Sequence, residues 1–436
     1  MMEKKALEFI DFVKHSPTAF HAVDSICTIL EKAGFIRLRE CGEWQLQKGH
    51  KYFVTRNGSS VLAFILPKKD PSAFKIAASH SDSPCFKLKT RCEENVLNCY
   101  TRLNVEPYGG MLMSTWLDRP LSVAGRVLIR CGDRLESRLV DLDEDKVLIP
   151  NMPIHFNRDA NNGYAWKPQT DLLPLYGDET DKGGLMKEIC AASGAKEEDL
   201  AGADLFLYNR TPGSVWGAEK RFFSCSRIDN LECAYTSVQA LIHAEEGSGV
   251  DLCAVFDNEE VGSRSKQGAD SDFLTAVMNR ILSFYGYGED RARAVICSSF
   301  MVSADNAHAV HPNHPEKFDA DNRVYMNKGV VIKHNANQKY TTDGVSSAVF
   351  EEICRRAKVP VQHFSNHSDL PGGSTLGNLS NAHAGMNTVD IGLAQLAMHS
   401  LYETAGTEDL AYMETALTAF YNTDIRLTDD GVFELN

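Results

Sequence analysis

The spacing of apolar residues at the start of the chain predicts two amphipathic helices. Leu7, Ile10 and Val13 recur every third residue, which would place them on one helical face. Ser16 and Pro17 are typical of an N-cap followed by a first helical position, so the second helix is expected to begin there. The apolar stripe of that helix and the glycine expected to close it are Phe20, Val23, Cys27, Leu30 and Gly34.

Shorter apolar runs predict β-strands in the next part of the chain. Two runs flank Asn57-Gly58, a pair typical of a β-hairpin turn. The run AFKIAAS predicts a buried strand that delivers His80 at its end. From about Thr90 to about Phe222 the runs become short and alternating, as in GRVLIRC, SRLVDL and KVLIP, and charged turns separate them. This pattern of short alternating runs predicts a mostly β segment.

After Phe223 the patterns of helix and strand alternate again. Helices are expected after Asn230 and over the closing segment EDLAYMETALTAFYNT, and strands over LCAVFD, RAVICSSFMVS, GVVIK and TVDIGL. The simplest topology is one α/β domain, formed by residues 1–90 and 223–436, that is interrupted by a mostly β domain of residues 91–222.

Composition narrows the class of protein without indicating an activity. Of the 436 residues, 43% are hydrophobic and 24% are charged, which is ordinary for a soluble globular protein of two or more domains. The net charge of -14 argues against nucleic acid or an anionic membrane as a partner, because both select a basic surface. No apolar stretch reaches membrane-spanning length. Twelve dispersed cysteines without a CxxC pair, and a charged N-terminus unlike a secretory signal, predict a cytoplasmic protein with reduced thiols.

Acidic and imidazole side chains that follow predicted strands are the candidate chemistry. In open α/β sheets the functional site lies at the carboxyl ends of the strands, so these side chains are expected to meet there. Three carboxylates and two imidazoles suit a pair of zinc-like dications, whose charge three carboxylates and one hydroxide would balance. The candidates are His80, Asp82, Asp229, Glu259, Glu260, Asp305 and His399.

Five of these side chains are interpreted as metal ligands. They are His80, Asp229, Glu260, Asp305 and His399, and Asp229 is expected to bridge two ions roughly 3.5–4 Å apart. Each position alone has an ordinary explanation, since a histidine near an acid is often structural and an aspartate before a helix is often an N-cap. Their common occurrence at strand ends favours the metal site.

The two remaining carboxylates are expected to support the ligands. Asp82, two positions after His80, would fix the tautomer of that imidazole. Glu259 precedes the ligand Glu260, and adjacent side chains point in different directions, so Glu259 can face the attacking water. It is predicted to act as general base and then as general acid toward the leaving amine. Adjacent glutamates are more often a solvated pair, but these two follow a strongly apolar run.

The run HAVHPNH supplies further imidazoles shortly after Asp305. Its histidines recur every third residue, but Pro312 and Pro315 argue against a regular helix. We therefore expect His308 and His311 to line the site, with a plain polar loop as the alternative.

The chain as a whole resembles the aspartyl aminopeptidase family of co-catalytic zinc exopeptidases. The resemblance covers nearly the full length and rests on ASHSDSPCFKLK, YGGMLMSTWLDRPLSVAGRV, SRIDNLECAY, FDNEEVGS, SADNAHAVHPNH, GVVIKHNANQKY and DLPGGSTLGN with QLAMHS. It implies an α/β fold with a zinc-exopeptidase-like α/β/α catalytic domain and an inserted, mostly β dimerisation domain. It also implies the same five ligands and the same base.

The resemblance further implies an activity, a cofactor and an assembly. Family members remove an N-terminal Asp or Glu from peptides, and two Zn²⁺ per subunit are expected, with Mn²⁺ or Co²⁺ as possible substitutes. Their subunits form large homo-oligomers, typically tetrahedral homododecamers built from dimers. A histidine of the inserted domain reaches the active site of a neighbouring subunit, and the matching residue here is His155.

Several substrate-pocket positions of the family also have counterparts. Lys333 in GVVIKHN matches the cation proposed to meet the acidic side chain, whereas its ordinary explanation is a surface lysine after a strand. Tyr340 and His311 match other pocket positions. Two departures, Ser226 for the usual glycine and Tyr402 for the usual arginine, leave the ligands intact but allow a wider or altered substrate preference.

Two other functions fit part of the pattern. A different two-metal amide hydrolase, such as a deacylase or dipeptidase, would use the same metal core, but Lys333 and the inserted domain favour an aminopeptidase. An inactive scaffold that kept the fold is the second alternative. The complete ligand set and Glu259 argue against it.

Overall fold

The computed structural model describes residues 2–436, and within them the chain forms ten α-helices and 22 β-strands. The helices are α1 (Met2–Lys14), α2 (Ala19–Lys32), α3 (Pro168–Asp171), α4 (Gly184–Ser193), α5 (Ile228–His243), α6 (Phe273–Phe284), α7 (Glu289–Cys297), α8 (Gly344–Ala357), α9 (Leu376–Ala384) and α10 (Asp409–Asn422). The strands are β1 (Ile36–Leu38), β2 (Lys51–Arg56), β3 (Ser60–Ile65), β4 (Phe74–His80), β5 (Cys85–Val96), β6 (Tyr100–Tyr108), β7 (Leu121–Cys131), β8 (Arg134–Asp141), β9 (Leu175–Asp178), β10 (Leu200–Asn209), β11 (Ser214–Trp216), β12 (Phe222–Cys225), β13 (Val250–Phe256), β14 (Phe300–Ala304), β15 (Ala307–His308), β16 (Val330–His334), β17 (Val361–Ser365), β18 (Asn387–Gly392), β19 (Ala394–Leu396), β20 (Glu403–Gly406), β21 (Ile425–Asp429) and β22 (Val432–Leu435).

A nine-stranded mixed sheet forms the centre of the fold, in the order β1-β2-β3-β13-β4-β14-β18-β16-β17. Its middle strands β13, β4, β14 and β18 are parallel to one another, and the first three are buried along their whole length. Parallel pairing brings His80 at the end of β4 level with Phe256 at the end of β13. The carboxyl ends of these strands therefore share one edge, where open α/β sheets place their sites.

Helices cover both faces of the central sheet. Alternate residues of β13 enter two separate cores, because successive side chains on a strand point to opposite faces. Cys253 and Val255 pack with residues of α1, α2, α5, α8 and α10, whereas Leu252 and Ala254 pack with residues of α6 and α9. The predicted α/β/α layering is confirmed.

A six-stranded antiparallel sheet is inserted between β4 and β13, in the order β8-β7-β10-β5-β6-β9. We call it the inserted sheet. It has a hydrophobic core of its own, which includes Phe86, Val123 and Leu207. The segment KVLIP, expected to be a strand, makes only isolated bridges through residues 147–149. The β-rich insert is confirmed, and since β5 already begins at Cys85, the bounds 91–222 remain a prediction.

A smaller five-stranded sheet has the order β11-β12-β20-β19-β15. It combines two strands that precede β13 in the chain with three strands that follow it. It carries the loop between β19 and β20, in which His399 lies. None of the helices within residues 2–436 is long and apolar enough to span a membrane.

The hairpin and the end of the second helix follow local sequence as predicted. Asn57 and Gly58 have φ values of 60° and 69°, as a two-residue type I′ turn requires. Gly34, with φ of 84°, follows the C-cap residue of α2, and its N–H donates to Glu31 O.

The beginning of the second helix was predicted two residues too early. α2 begins at Ala19 with Thr18 as its N-cap, not at Ser16 and Pro17. The N–H of Ser16 donates to Val13 O, so this residue finishes the turn that leaves α1. Ser16 is fully buried, and its backbone hydrogen bond to Val13 lies at the end of α1 and not at the start of α2.

The buried face of the first helix differs from the predicted one by a rotation about the helix axis. Leu7 is 49% exposed, whereas Ala6, Phe9 and Val13 are buried. The reason is tertiary: the ring of Phe9 packs against Phe223 at 5.7 Å between centroids.

The run RAVICSSFMVS was predicted as one strand but contains two elements. α7 covers Glu289–Cys297, and β14 begins only at Phe300. Glu289 and Asp290 in the first turn of α7 favour the helix through its dipole. A short apolar run does not distinguish a buried helix from a strand by periodicity.

Replacing Phe9 with Ala is expected to lower the free energy of unfolding by about 3–5 kcal/mol, because the lost ring leaves a cavity in a closed core. Leu7→Ala, two residues away on the opposite side of the same helix, should change it by less than about 0.5 kcal/mol. Urea denaturation of both variants measures the difference. Equal losses would contradict an orientation of α1 that buries Phe9 and exposes Leu7.

Candidate metal centre

The carboxyl edge of the parallel strands brings the predicted ligands together. His80 is the last residue of β4, and Asp305 directly follows β14. Glu260 lies in a short 3₁₀ turn (Glu259–Val261) just after β13, and Asp229 lies in the first turn of α5. The peptide bond between Asp229 and Asn230 is cis. His399 reaches the same place from the β19–β20 loop and keeps 30% of its side chain exposed.

Asp229 stands between two groups of candidate ligands. Its Oδ1 is 3.6 Å from His80 Nε2, which is 3.5 Å from Asp305 Oδ1. Its Oδ2 is 3.4 Å from His399 Nε2, which is 3.3 Å from Glu260 Oε2. Within each group of three the donor atoms lie within 4.8 Å of one another. One carboxylate therefore contributes an oxygen to each group, which is the arrangement that a bridging ligand of two ions requires.

The distances and the hydrogen bonding fit zinc. Two donors that each lie 2.0–2.1 Å from a tetrahedral Zn²⁺ are about 3.4 Å apart, close to the separations found here. Asp229 Oδ1 and Glu260 Oε1 are buried and have no hydrogen-bond partner among the described residues. A buried oxygen without a partner is costly, and a metal ion would satisfy it.

The pKa values of the cluster also fit a metal site. Burial raises the pKa of Glu260 to about 7, and burial together with repulsion from Asp305 raises the pKa of Glu259 to about 8. Burial opposes the charge of His399, but hydrogen bonds with Asp229 and Glu260 outweigh it and raise the pKa of His399 to about 11. With raised pKa values these buried groups retain protons near neutral pH when no cation is present, and bound dications would favour the charged forms of the carboxylates.

Asp82 lies beside His80, as predicted, but its carboxylate has a wider role. His80 Nδ1 is 3.1 Å from the backbone oxygen of Asp82 and 3.4 Å from Asp82 Oδ1. The two carboxylate oxygens accept the backbone N–H groups of Glu259 and Glu260 at 3.1 and 3.2 Å. Asp82 therefore orients the imidazole and also fixes the turn that carries the glutamate pair.

Glu259 occupies the edge of the centre. Its carboxylate lies within 4.8 Å of donors from both His80 and Glu260, and its side chain is only half-buried. That position leaves it able to exchange a proton with a group bound between the two donor triads.

The predicted pocket residues separate into two places. Lys333 is 2% exposed and not on the surface; its Nζ is 3.7 Å from Asp305 Oδ2 and 3.1 Å from Asn306 O. Tyr340 is also buried, with its ring 5.2 Å from that ammonium. His308 and His311 instead line a cavity of about 350 Å³ next to Met398.

His155 is not brought to the centre by its own chain. It is exposed in a loop without regular structure, and no hydrogen bond or ion pair within the described chain joins it to the cluster. Of the two departures from the family pattern, Ser226 is buried and lines a cavity together with Asp229 and His399, whereas the Tyr402 hydroxyl donates to Pro212 O.

Sequence reasoning assigned no role to Glu403, which is 2% exposed and supports two ligands. Its carboxylate accepts the backbone N–H of Asp229 at 3.0 Å and that of His399 at 2.7 Å. Burial and the nearby Asp229 raise the pKa of Glu403 to about 8. In the sequence, Glu403 is visible only as an acidic residue four positions after His399, and this spacing does not indicate that Glu403 is buried.

Comparisons with known proteins agree with this geometry. Residues 12–421 match the family model described as aminopeptidase I zinc metalloprotease (M18). The chain is 46% identical to a probable M18 family aminopeptidase 2 of Clostridium acetobutylicum, over 96% of this chain and 100% of that protein.

Solved structures of related proteins have the same fold. One is Ape4 in a cryo-EM structure of the Ape4 and Nbr1 complex, with a TM-score of 0.93, 35% identity, and coverage of 97% of this chain and 86% of that one. Another is the mApe1 dodecamer of S. cerevisiae, with a TM-score of 0.85, 29% identity, and coverage of 96% of both chains. The family resemblance identified from the sequence motifs is confirmed. The chain belongs to the M18 family of zinc metalloproteases and is an aminopeptidase, a hydrolase that removes residues from the N-terminus of peptides.

Proposed function

We propose that this aminopeptidase uses two zinc ions per subunit and prefers peptides with an N-terminal Asp or Glu. The observation that carries the two-metal proposal is the position of Asp229, whose two oxygens face separate donor triads. Zinc ions bound there would lower the pKa of a water molecule and polarise the scissile carbonyl.

The chain's own residues would divide the remaining work. His80 and Asp305 would hold one ion, Glu260 and His399 would hold the other, and Asp229 would be shared. Glu259 takes the proton of the attacking water and returns it to the leaving nitrogen. The support for this role is its half-buried position beside both triads.

The acidic preference is supported by cationic groups near the centre. The Lys333 ammonium lies beside Asp305, and the 350 Å³ cavity is lined by His308, His311 and Lys317. An acidic side chain would meet the Lys317 ammonium in that cavity, in surroundings otherwise rich in carboxylates. Lys333 is already paired with Asp305, so its contribution is a nearby charge and a limit on which side chains fit.

The proposed assembly is a tetrahedral homododecamer built from dimers. Its support is the dodecamer formed by the related mApe1 and an exposed apolar loop around His155. In that loop Met152, Ile154 and Phe156 are 56%, 48% and 83% exposed. Burial of this loop against a second subunit would bring His155 to the partner's active site. The catalytic part would be residues 1–90 and 223–436, with residues 91–222 supplying the contacts.

The expected location is the cytoplasm, and the expected substrates are peptides with a free N-terminus. All twelve cysteines are free, and seven of them are buried, which suits a reducing compartment.

Zinc binding is expected to depend on Asp229. Wild-type protein stripped with a chelator should take up two zinc ions per chain, and zinc at 100 times its Kd should add about 2.7 kcal/mol of stability for each ion bound. Asp229→Asn should lose most of that increase, because both triads lose an anionic donor. Asp270→Asn is the matched control, since Asp270 pairs with His383 at 2.8 Å outside the cluster. Equal zinc-dependent shifts in the two variants would count against Asp229 as a bridging ligand.

Replacing Glu259 with Gln should separate catalysis from metal binding. We expect kcat to fall about 10²- to 10⁴-fold, because the general base is lost, while zinc content stays at two per chain. Glu352→Gln serves as control, since Glu352 lies on α8, outside the donor triads, and pairs with Arg355 and Arg356 of the same helix. Turnover near that of wild type, with zinc retained, would rule out Glu259 as the base.

Initial rates on Asp-, Glu-, Leu- and N-acyl-aminoacyl substrates, with and without a chelator, test the substrate class. The Asp and Glu substrates should exceed the Leu substrate about 10-fold or more in kcat/KM, as one charge-assisted contact would give. The chelator should abolish all turnover. Strong deacylation without aminopeptidase activity would instead support the deacylase alternative. A zinc-free protein without turnover would support the inactive scaffold.

A further inference from the structure

The chain that leaves β6 of the inserted sheet runs along the metal centre. We call residues 108–112 the 108–112 segment. They are the first five residues of the motif YGGMLMSTWLDRPLSVAGRV. Its first residue bridges two loops of the centre. The Tyr108 hydroxyl donates to Asp82 Oδ2 at 2.6 Å and accepts from Asn258 Nδ2 at 2.8 Å. Asp82 in turn binds the backbone of Glu259 and Glu260.

The second residue packs directly against a candidate ligand. Gly109 has φ of 74°, and a Cβ placed on it would be 3.1 Å from Glu260 Cβ and 3.4 Å from Glu260 O. A larger residue would therefore be strained and would also press on the glutamate. Only a glycine lets the segment approach Glu260 this closely.

The rest of the segment contacts both the ring and the backbone of His399. His399 Nδ1 is 2.6 Å from Gly110 O, so the ring nitrogen that donates there leaves Nε2 free to face Asp229 and Glu260. The N–H of Leu112 donates to His399 O at 2.9 Å. His399 has φ of 65°, an uncommon conformation for a non-glycine residue, and these two contacts help to fix it.

We propose that the 108–112 segment positions Glu260 and His399 for the zinc ion that they would share, so that the inserted sheet sets the metal affinity of this half of the centre. The inference rests on the proposed two-metal function. Its basis is that the segment contacts Glu260, His399 and Asp82, whose carboxylate fixes the backbone of Glu260. Tyr108 and Gly109 are thus positioning residues, because they act through the ligands.

Tyr108→Phe tests the hydroxyl contact. The affinity of the more weakly bound zinc ion, measured by competition with a chelator, should fall about 10- to 100-fold, as is usual when the support of a ligand is lost. With zinc in excess, kcat should fall while KM stays within about 2-fold of the wild-type value, because the substrate pocket is intact. Tyr176→Phe is the matched control: its hydroxyl donates to Glu188 at 3.0 Å, away from the centre in the same sheet.

Gly109→Ala tests the backbone contact with a control for strain. Gly132 has φ of 62° and open space around its Cβ position, so Gly132→Ala carries the same conformational cost without touching a ligand. Gly109→Ala should weaken the same zinc ion about 10-fold or more relative to Gly132→Ala. This pair remains informative if Tyr108→Phe folds poorly.

The outcomes separate the two proposals. A wild-type protein that binds two zinc ions, with Tyr108→Phe and Gly109→Ala binding both as tightly as their controls, overturns this inference and leaves the proposed function intact. A wild-type protein that binds fewer than two zinc ions overturns both. Selective weakening of one ion in both test variants supports both.

Discussion

The convergence of buried carboxylates at one edge of a parallel sheet is the constraint on which the rest of the structure depends. Asp229, Glu260 and Asp305 lie within a few ångströms of two imidazoles, largely out of water. Burial of so much negative charge is unfavourable unless cations compensate it. Lys333 supplies one positive charge beside Asp305, but Asp229 Oδ1 and Glu260 Oε1 accept no hydrogen bond from any of residues 2–436. Dications bound within the two triads would compensate this charge, which would give the arrangement a physical reason.

A layer of hydrogen bonds outside the donors keeps them in place. Glu403 accepts the backbone N–H groups of Asp229 and His399, and Asp82 accepts those of the glutamate pair. These supports hold the main chain more than the side chains, so the donors are positioned by the loops on which they lie. This is an effective way to keep donors close together when their own charges repel.

The inserted sheet is coupled to this layer. Its strand β6 ends in the 108–112 segment, which contacts Asp82, Glu260 and His399. The same sheet carries the exposed loop around His155. A single inserted unit could therefore influence both the geometry of the centre and the contacts between subunits, which would connect assembly to catalysis.

Many features of the fold follow from local sequence. The hairpin at Asn57-Gly58 and the end of α2 at Gly34 depend on backbone conformations that few residues adopt. Other features do not: Leu7 and Phe9 are both apolar, and only the packing partner Phe223 decides which of them faces the core. The run before β14 was ambiguous because a short buried helix and a strand share the same composition.

The sequence by itself determined which side chains could form the centre, because each lies next to an apolar run and strand ends of a parallel sheet meet at one edge. It also determined the family, through long ordered motifs. Only the tertiary structure decided that Lys333 is buried against Asp305, that Glu403 supports two loops, and that Tyr108 reaches Asp82 from another sheet. These contacts join residues far apart in the chain, and a residue's own neighbours in sequence contain no information about burial or distance across a fold.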